Sequence, residues 1–246
     1  MLCKLRRRFL RRAFGEQRFY SLSRTCQISK LALIYEQYFG RTEEGTFVEV
    51  GAFDGEYASN TSGLADVGWR GIYVEPVPDF FEKCKARHAS NHNVSVINTA
   101  VGDGEGTLTI HVGGPLSTAS PDMKTNFSRL AWAQGSFRHE KVHSVPMTTL
   151  ETVLRDNAVT PGFELLVIDV EGYEWNVLHR FDIACWRPQM IIIELHDQND
   201  DYFGVREECK SIVRYFDDAD YKVIWKDFTN TIYVPRGRFP LPIEER

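Results

Sequence analysis

Acidic residues recur in this 246-residue chain directly after short apolar runs. Glu49 and Asp54 bracket Val50-Gly51-Ala52-Phe53, and Glu75 closes Gly71-Ile72-Tyr73-Val74. Asp103 follows the run Val94 to Val101, and Asp169 and Glu171 follow Phe163 to Ile168. Glu194, His196 and Asp197 close Met190-Ile191-Ile192-Ile193. Carboxylates and an imidazole gathered in one place can take a proton from a hydroxyl, neutralise a cationic ligand or hold a divalent cation. Asp169, Glu171, Glu194 and His196 are the candidate catalytic group, with His196 or Asp169 as the base. A positioned base typically contributes ~10²–10⁴ in rate. Alternatively, Mg2+ bridging Asp169, Glu194 and His196 would polarise the reacting oxygen. Glu174 reads as a first-turn acid that favours a helix dipole.

Such chemistry requires the apolar runs to end side by side, as they do at the carboxyl edge of a parallel sheet. The pattern supplies that sheet. Thr46–Val50, Gly71–Val74, Val94–Val101, Phe163–Val170 and Met190–Leu195 read as buried strands, and Thr107–Val112 and His143–Met147 as further ones. Between them fall helices over Leu31–Gly40, Pro78–Ala89, Thr149–Arg155, Trp175–Phe181 and Val205–Phe216. Tyr221–Trp225 and Thr229–Val234, joined by Lys226-Asp227-Phe228, form a closing antiparallel hairpin. The class is therefore α/β, a mostly parallel doubly wound sheet with helices on both faces.

Composition narrows the functions. Nine of the 29 Lys and Arg residues lie within residues 1–30, against one of the 34 acidic residues, so the body is acidic. That balance excludes a protein that grips nucleic acid over its main surface. Residues 1–30 form a basic head, in which Leu2, Leu5, Phe9 and Ala13 stand at helical spacing. It suits peripheral contact with an anionic membrane through residues 1–14, an organellar import sequence or a solvated tail. Residues 31–246 make one domain, with residues 113–140, bearing Phe127, Arg129, Trp132, Phe137, Arg138 and His139, as a lid insertion. The five cysteines are scattered with no C-x-x-C pair, which fits a reducing, cytoplasmic setting. No apolar run approaches the ~18 residues of a membrane span. Oligomeric state is not encoded legibly.

The loop Glu49-x-Gly51-x-x-x-Gly55 lacks the glycines of a dinucleotide fingerprint, with Phe53 and Glu56 in two of their places. Its carboxylates repel a pyrophosphate and suit a cationic, hydroxyl-bearing ligand, and Glu75 lies at about the distance at which an acid meets ribose hydroxyls. S-adenosylmethionine fits, with an ammonium, a sulfonium and a ribose but no phosphate. The same residues also suit a tight strand-to-helix turn with no ligand.

Taken together, F-V-E-V-G-A-F-D-G (47–55), S-N-T (59–61), G-W-R-G-I-Y-V-E-P (68–76) and A-V-G-D-G-E-G-T-L-T (100–109) resemble the FkbM family of S-adenosylmethionine-dependent methyltransferases. T-L-E-T-V-L (149–154), L-L-V-I-D-V-E-G-Y-E-W-N-V-L (165–178) and I-I-I-E-L-H (191–196) continue the resemblance in order and spacing, over residues 31–235. It implies the Rossmann-like class I methyltransferase fold and methyl transfer to a hydroxyl of a sugar, glycan or polyketide-type acceptor. It also implies that Glu49, Gly51, Ala52, Gly55 and Asn60 belong to the methionine side of the cofactor site. Glu75 and Pro76 would lie at the ribose, Asp103 by the adenine and Asp169 beside the reacting methyl. The alternative is a scaffold that kept the fold, lost turnover and docks to membrane by its head.

Overall fold

The computed structural model describes residues 18–138, 141–198, 201–202 and 204–237. The expected basic helix of residues 1–14, and His139, lie outside them. Helix α1 (Leu31–Tyr38) buries Leu31, Ala32, Ile34 and Tyr35 and stops before Gly40, whose φ of 77° no helix can continue. The strands β1 (Thr46–Val50), β2 (Arg70–Val74) and β3 (Val94–Ile97) alternate with α2 (Ser62–Val67) and α3 (Pro78–Arg87). A small sheet follows from β4 (Ala100–Val101), β5 (Gly106–Val112) and β6 (Lys141–Thr148), with α4 (Pro121–Arg129) between the last two. Then come α5 (Leu150–Asp156), β7 (Leu165–Ile168), α6 (Glu174–Leu178), α7 (Ile183–Trp186), β8 (Met190–Glu194), α8 (Arg206–Asp218), β9 (Tyr221–Lys226) and β10 (Asn230–Pro235).

The main sheet runs β3-β2-β1-β7-β8-β10-β9, parallel except for β10, which opposes both β8 and β9. The expected doubly wound sheet with its C-terminal hairpin is what forms. Register aligns the carboxyl ends: Val50 lies opposite Val74 and Ile168, and Ile168 opposite Ile193. The winding reverses between β1 and β7, so a crevice opens there. Both faces are dry. Val48, Val50, Leu166, Ile168, Ile191 and Ile193 pack under α5 to α8, while Phe47, Leu165, Val167, Met190 and Ile192 pack with α1 and Trp69. Each such side chain contributes about 1.5–3 kcal/mol on burial, so the sheet is a rigid platform for the loops at its edge.

Two expectations need correction. Val94–Val101 is not one strand: the Asn98 amide donates to the Glu75 and Pro76 carbonyls, at 2.9 and 3.0 Å, and turns the chain out of the main sheet after Ile97. Asp103 therefore follows a strand of the small sheet, β4-β6-β5. Residues 113–140, a lid insertion for which the pattern gives no helix, contain α4, capped by the Ser120 hydroxyl accepting from Met123 N–H at 3.2 Å. Its Met123 and Phe127 form a separate small core with Ala133, Tyr202 and Val205. Among the described residues no helix is long and apolar enough to cross a membrane.

Candidate active site

The β1 loop is shaped by what a side chain would hit. Gly51 has φ 89°, and a Cβ there would stand 1.7 Å from the Asp169 carbonyl oxygen. Its N–H and that of Ala52 both donate to the Val74 carbonyl, at 3.0 and 3.1 Å, bending the loop over the end of β2. Phe53, where a dinucleotide fingerprint has glycine, takes a left-handed φ of 49° and packs its ring on Phe80 at 4.4 Å. A non-glycine residue held there is strained by about 1–2 kcal/mol, which the surrounding contacts offset. Glu75 holds it: its carboxylate accepts from Phe53 N–H and from Val77 N–H, each at 2.8 Å. Glu49 is buried behind the loop, accepting from the Thr61 hydroxyl and, at 3.3 Å, from the Ser59 hydroxyl.

A cavity opens against Glu75, lined also by Pro76, Phe80, Val101, Ile110 and Tyr173. A second, roomier one is lined by Glu49, Ala52, Trp132, Glu194, His196 and Tyr202. Gly51, Phe53, Pro115, Asp169 and Glu171 line both, so the two cavities meet at the crevice between β1 and β7. Three expected site residues stand elsewhere. Gly55 faces Cys84 and His88, which leave no room for a Cβ; Asn60 turns its side-chain oxygen to the Cys26 thiol. Asp103, half-exposed, lies 4.0 Å from His179 and lines neither cavity.

The four candidate catalytic groups do converge, because β7 and β8 are neighbours. Strand alternation is not the whole reason, since β7 ends at Ile168 and Glu171 adopts a left-handed φ of 54°. That kink is held by the Thr118 hydroxyl, which donates to the Glu171 carbonyl at 2.6 Å, and by Glu174. Glu174 does more than meet a helix dipole: its carboxylate accepts from the Val170 and Gly172 N–H groups, both at 3.1 Å. Glu171, rather than Asp169, joins Glu194 and His196, one donor atom from each lying within 4.8 Å of the others. His196 stacks on Tyr202, ring centroids 4.1 Å apart, and its Nε2 is 3.5 Å from Glu194 Oε2.

Burial, then the neighbouring Glu194, pushes Asp169 and Glu171 well above the usual carboxylate range. Burial lifts Glu49 to about 7, and burial and Glu194 lift Glu174 to about 7. Glu75 rises to about 8, again through burial. Burial alone would lower His196, but Glu194 outweighs it and holds the imidazole above its ordinary value. The folded protein thus keeps protons that the unfolded chain releases. These groups stabilise most below about pH 4.5, and their contribution falls as pH rises through 7 to 8. At about 1.4 kcal/mol per unit and ~2–4 °C per kcal/mol for a chain of this size, the melting temperature of the ligand-free protein should drop by on the order of 15–30 °C from pH 5.5 to 8.5. Thermal melts across that range check it; a rising melting temperature would contradict the burial of these carboxyls.

The sequence model of the methyltransferase FkbM domain matches residues 49–223. The chain belongs to the FkbM methyltransferase family. A search of curated proteins finds no match. Among solved structures, the chain is similar to an O-methyltransferase from Bacillus cereus in complex with SAH, at 14% identity and TM-score 0.47, covering 87% of this chain and 83% of that one. It is also similar to a fibrillarin pre-rRNA processing protein of Methanococcus jannaschii, at 11% identity and TM-score 0.44, covering 80% and 68%. The fold of this FkbM member is the Rossmann-like class I methyltransferase fold, and its cofactor is S-adenosylmethionine. The site fits that cofactor: the first cavity is mainly apolar, with Glu75 on its wall and the Asp169 and Glu171 carboxyls where it meets the second, which suits a ribose beside a cationic sulfonium.

Proposed function

We propose that this methyltransferase acts on oxygen, at a hydroxyl of a sugar, glycan or polyketide-type acceptor. The observation that carries the reading is the junction of the two cavities at Asp169 and Glu171. The first cavity suits the nucleoside, with Glu75 and Pro76 at the ribose; Glu49, Gly51 and Ala52 lie toward the amino-acid end. When bound, S-adenosylmethionine supplies a methyl group on a sulfonium. Asp169, common to both cavities, in its ionised form accepts the proton of the attacking hydroxyl, and burial beside Glu194 raises its affinity for that proton. Walls fixed by the sheet align the reactants, which contributes about 7–11 kcal/mol in well-oriented cases.

Trp132 and Tyr57 support a ring-shaped acceptor. Both line the second cavity yet are 66% and 49% exposed, so they present aromatic rings at its mouth. Such faces pack well against the C–H face of a sugar or an alicyclic ring. The test is a screen of glycans and hydroxylated polyketides with isotopically labelled cofactor, the position of the label being located by mass spectrometry and NMR. The expected product is a methyl ether. Label on nitrogen or carbon would overturn the reading.

A further inference from the structure

We propose that Glu171, Glu194 and His196 form a binding site for a divalent first-row transition cation, at the acceptor side of the crevice. Glu194 Oε2 and His196 Nε2 are both shielded from solvent, in residues only 7% exposed, and neither has a hydrogen-bond partner among the described residues. The two atoms face each other across a long 3.5 Å ion contact in the lining of one cavity, with no hydrogen bond to offset their burial. A cation shared between them offsets it. The third donor is Glu171: one donor atom from each of the three residues lies within 4.8 Å of the others. Donors bound at ~2.0–2.2 Å stand up to ~4.4 Å apart, so a small glutamate torsion closes the site.

The donors are held. Stacking on Tyr202 fixes the imidazole plane, β8 fixes Glu194, and the Thr118 and Glu174 hydrogen bonds fix the turn that carries Glu171. Three protein donors facing a large cavity leave coordination positions open to water or to an acceptor oxygen. One imidazole beside two carboxylates favours a transition cation over Mg2+, which prefers oxygen ligands and retains its waters. This differs from the Mg2+ bridge expected from sequence in the metal and in one ligand, Glu171 in place of Asp169.

The site stands on its own geometry; its role, drawing charge from an acceptor hydroxyl so that Asp169 can take the proton, rests on the methyltransferase reading. The experiment titrates chelator-stripped full-length protein with Mn2+, following free Mn2+ by electron paramagnetic resonance, and measures S-adenosylhomocysteine binding by calorimetry in parallel. One Mn2+ per chain is expected, resistant to equimolar Mg2+. Glu194→Gln and His196→Asn should each weaken it at least ~10–100-fold, a range that even outer-shell partners reach, while S-adenosylhomocysteine binding shows that the variants fold. Should either lose that binding, Glu171→Gln takes its place. Absent Mn2+ binding, unchanged binding in the variants or displacement by Mg2+ overturns the proposal and leaves the methyltransferase reading intact. Mn2+ binding that the variants abolish, with no S-adenosylhomocysteine binding in the parent, upholds the site and overturns that reading.

Discussion

Gly51→Ala should leave no cooperatively folded, cofactor-binding protein. Two costs add. A left-handed φ of 89° strains alanine by about 1–2 kcal/mol, and the new methyl would stand 1.7 Å from the Asp169 carbonyl oxygen. Neither partner can yield cheaply. That carbonyl belongs to backbone pinned by the Asp169 N–H bond to Val50 at 3.0 Å, and the Gly51 N–H is bonded to Val74. Relief therefore means separating β1 from β7, whose Val50 and Ile168 are buried in the core just below the crevice. Gly162→Ala is the matched control, with φ 83° and nothing within 4 Å of the added methyl. It should lower the melting temperature by only about 2–8 °C, at ~2–4 °C per kcal/mol for a chain of this size, and keep cofactor binding. Thermal melts and calorimetry on both variants decide the matter; a Gly51→Ala protein melting within a few degrees of the parent would refute the clash.

That glycine was readable from the chain because strand β1 and its turn follow ordinary rules. So were β2, β7 and β8, whose β-branched residues are buried on both faces and leave continuous apolar runs. Glu194 and His196 were legible for the same reason, closing the run Met190–Ile193. The misreadings have a common cause, in contacts distant along the chain. Val94–Val101 is strand-like at nearly every position, and the break arises from the Asn98 amide reaching carbonyls 22 and 23 residues earlier. Helix α4 buries only two apolar residues, Met123 and Phe127, and they pack against Tyr202 and Val205 rather than the sheet. Glu171 enters the cluster through a left-handed backbone fixed by Thr118 and Glu174, which no period-two pattern encodes. Phe53 was visible only as a departure from a glycine fingerprint. Its strain, and the carboxylate that offsets it, appear once β1 and β2 lie side by side.

Glu75→Ala should cost cofactor affinity far more than stability, and the two effects separate by magnitude. In the ligand-free protein the substitution deprives the Phe53 and Val77 N–H groups of their acceptor, at about 1–3 kcal/mol each if they stay dry. They need not stay dry, because Glu75 lines the first cavity and water can enter the space it vacates. The substitution also removes a buried carboxyl whose ionisation is disfavoured up to about pH 8, which offsets part of the loss at neutral pH. The net change in stability should therefore stay within ~2 kcal/mol. Nothing comparable offsets the lost ligand contacts. Two ribose hydroxyls donating to a carboxylate contribute about 1.5–3 kcal/mol each, so S-adenosylmethionine should bind roughly 10²–10⁴-fold more weakly. Glu75→Gln sharpens the result. It keeps one acceptor oxygen but turns an amide N–H₂ toward Phe53 or Val77, so it should lose affinity nearly as far and abolish any rise in affinity through pH 8. Calorimetric titrations at pH 6.5 and 8.5 measure both variants against the parent. Affinity within threefold of the parent in both would remove Glu75 from the ribose and move the nucleoside out of the first cavity.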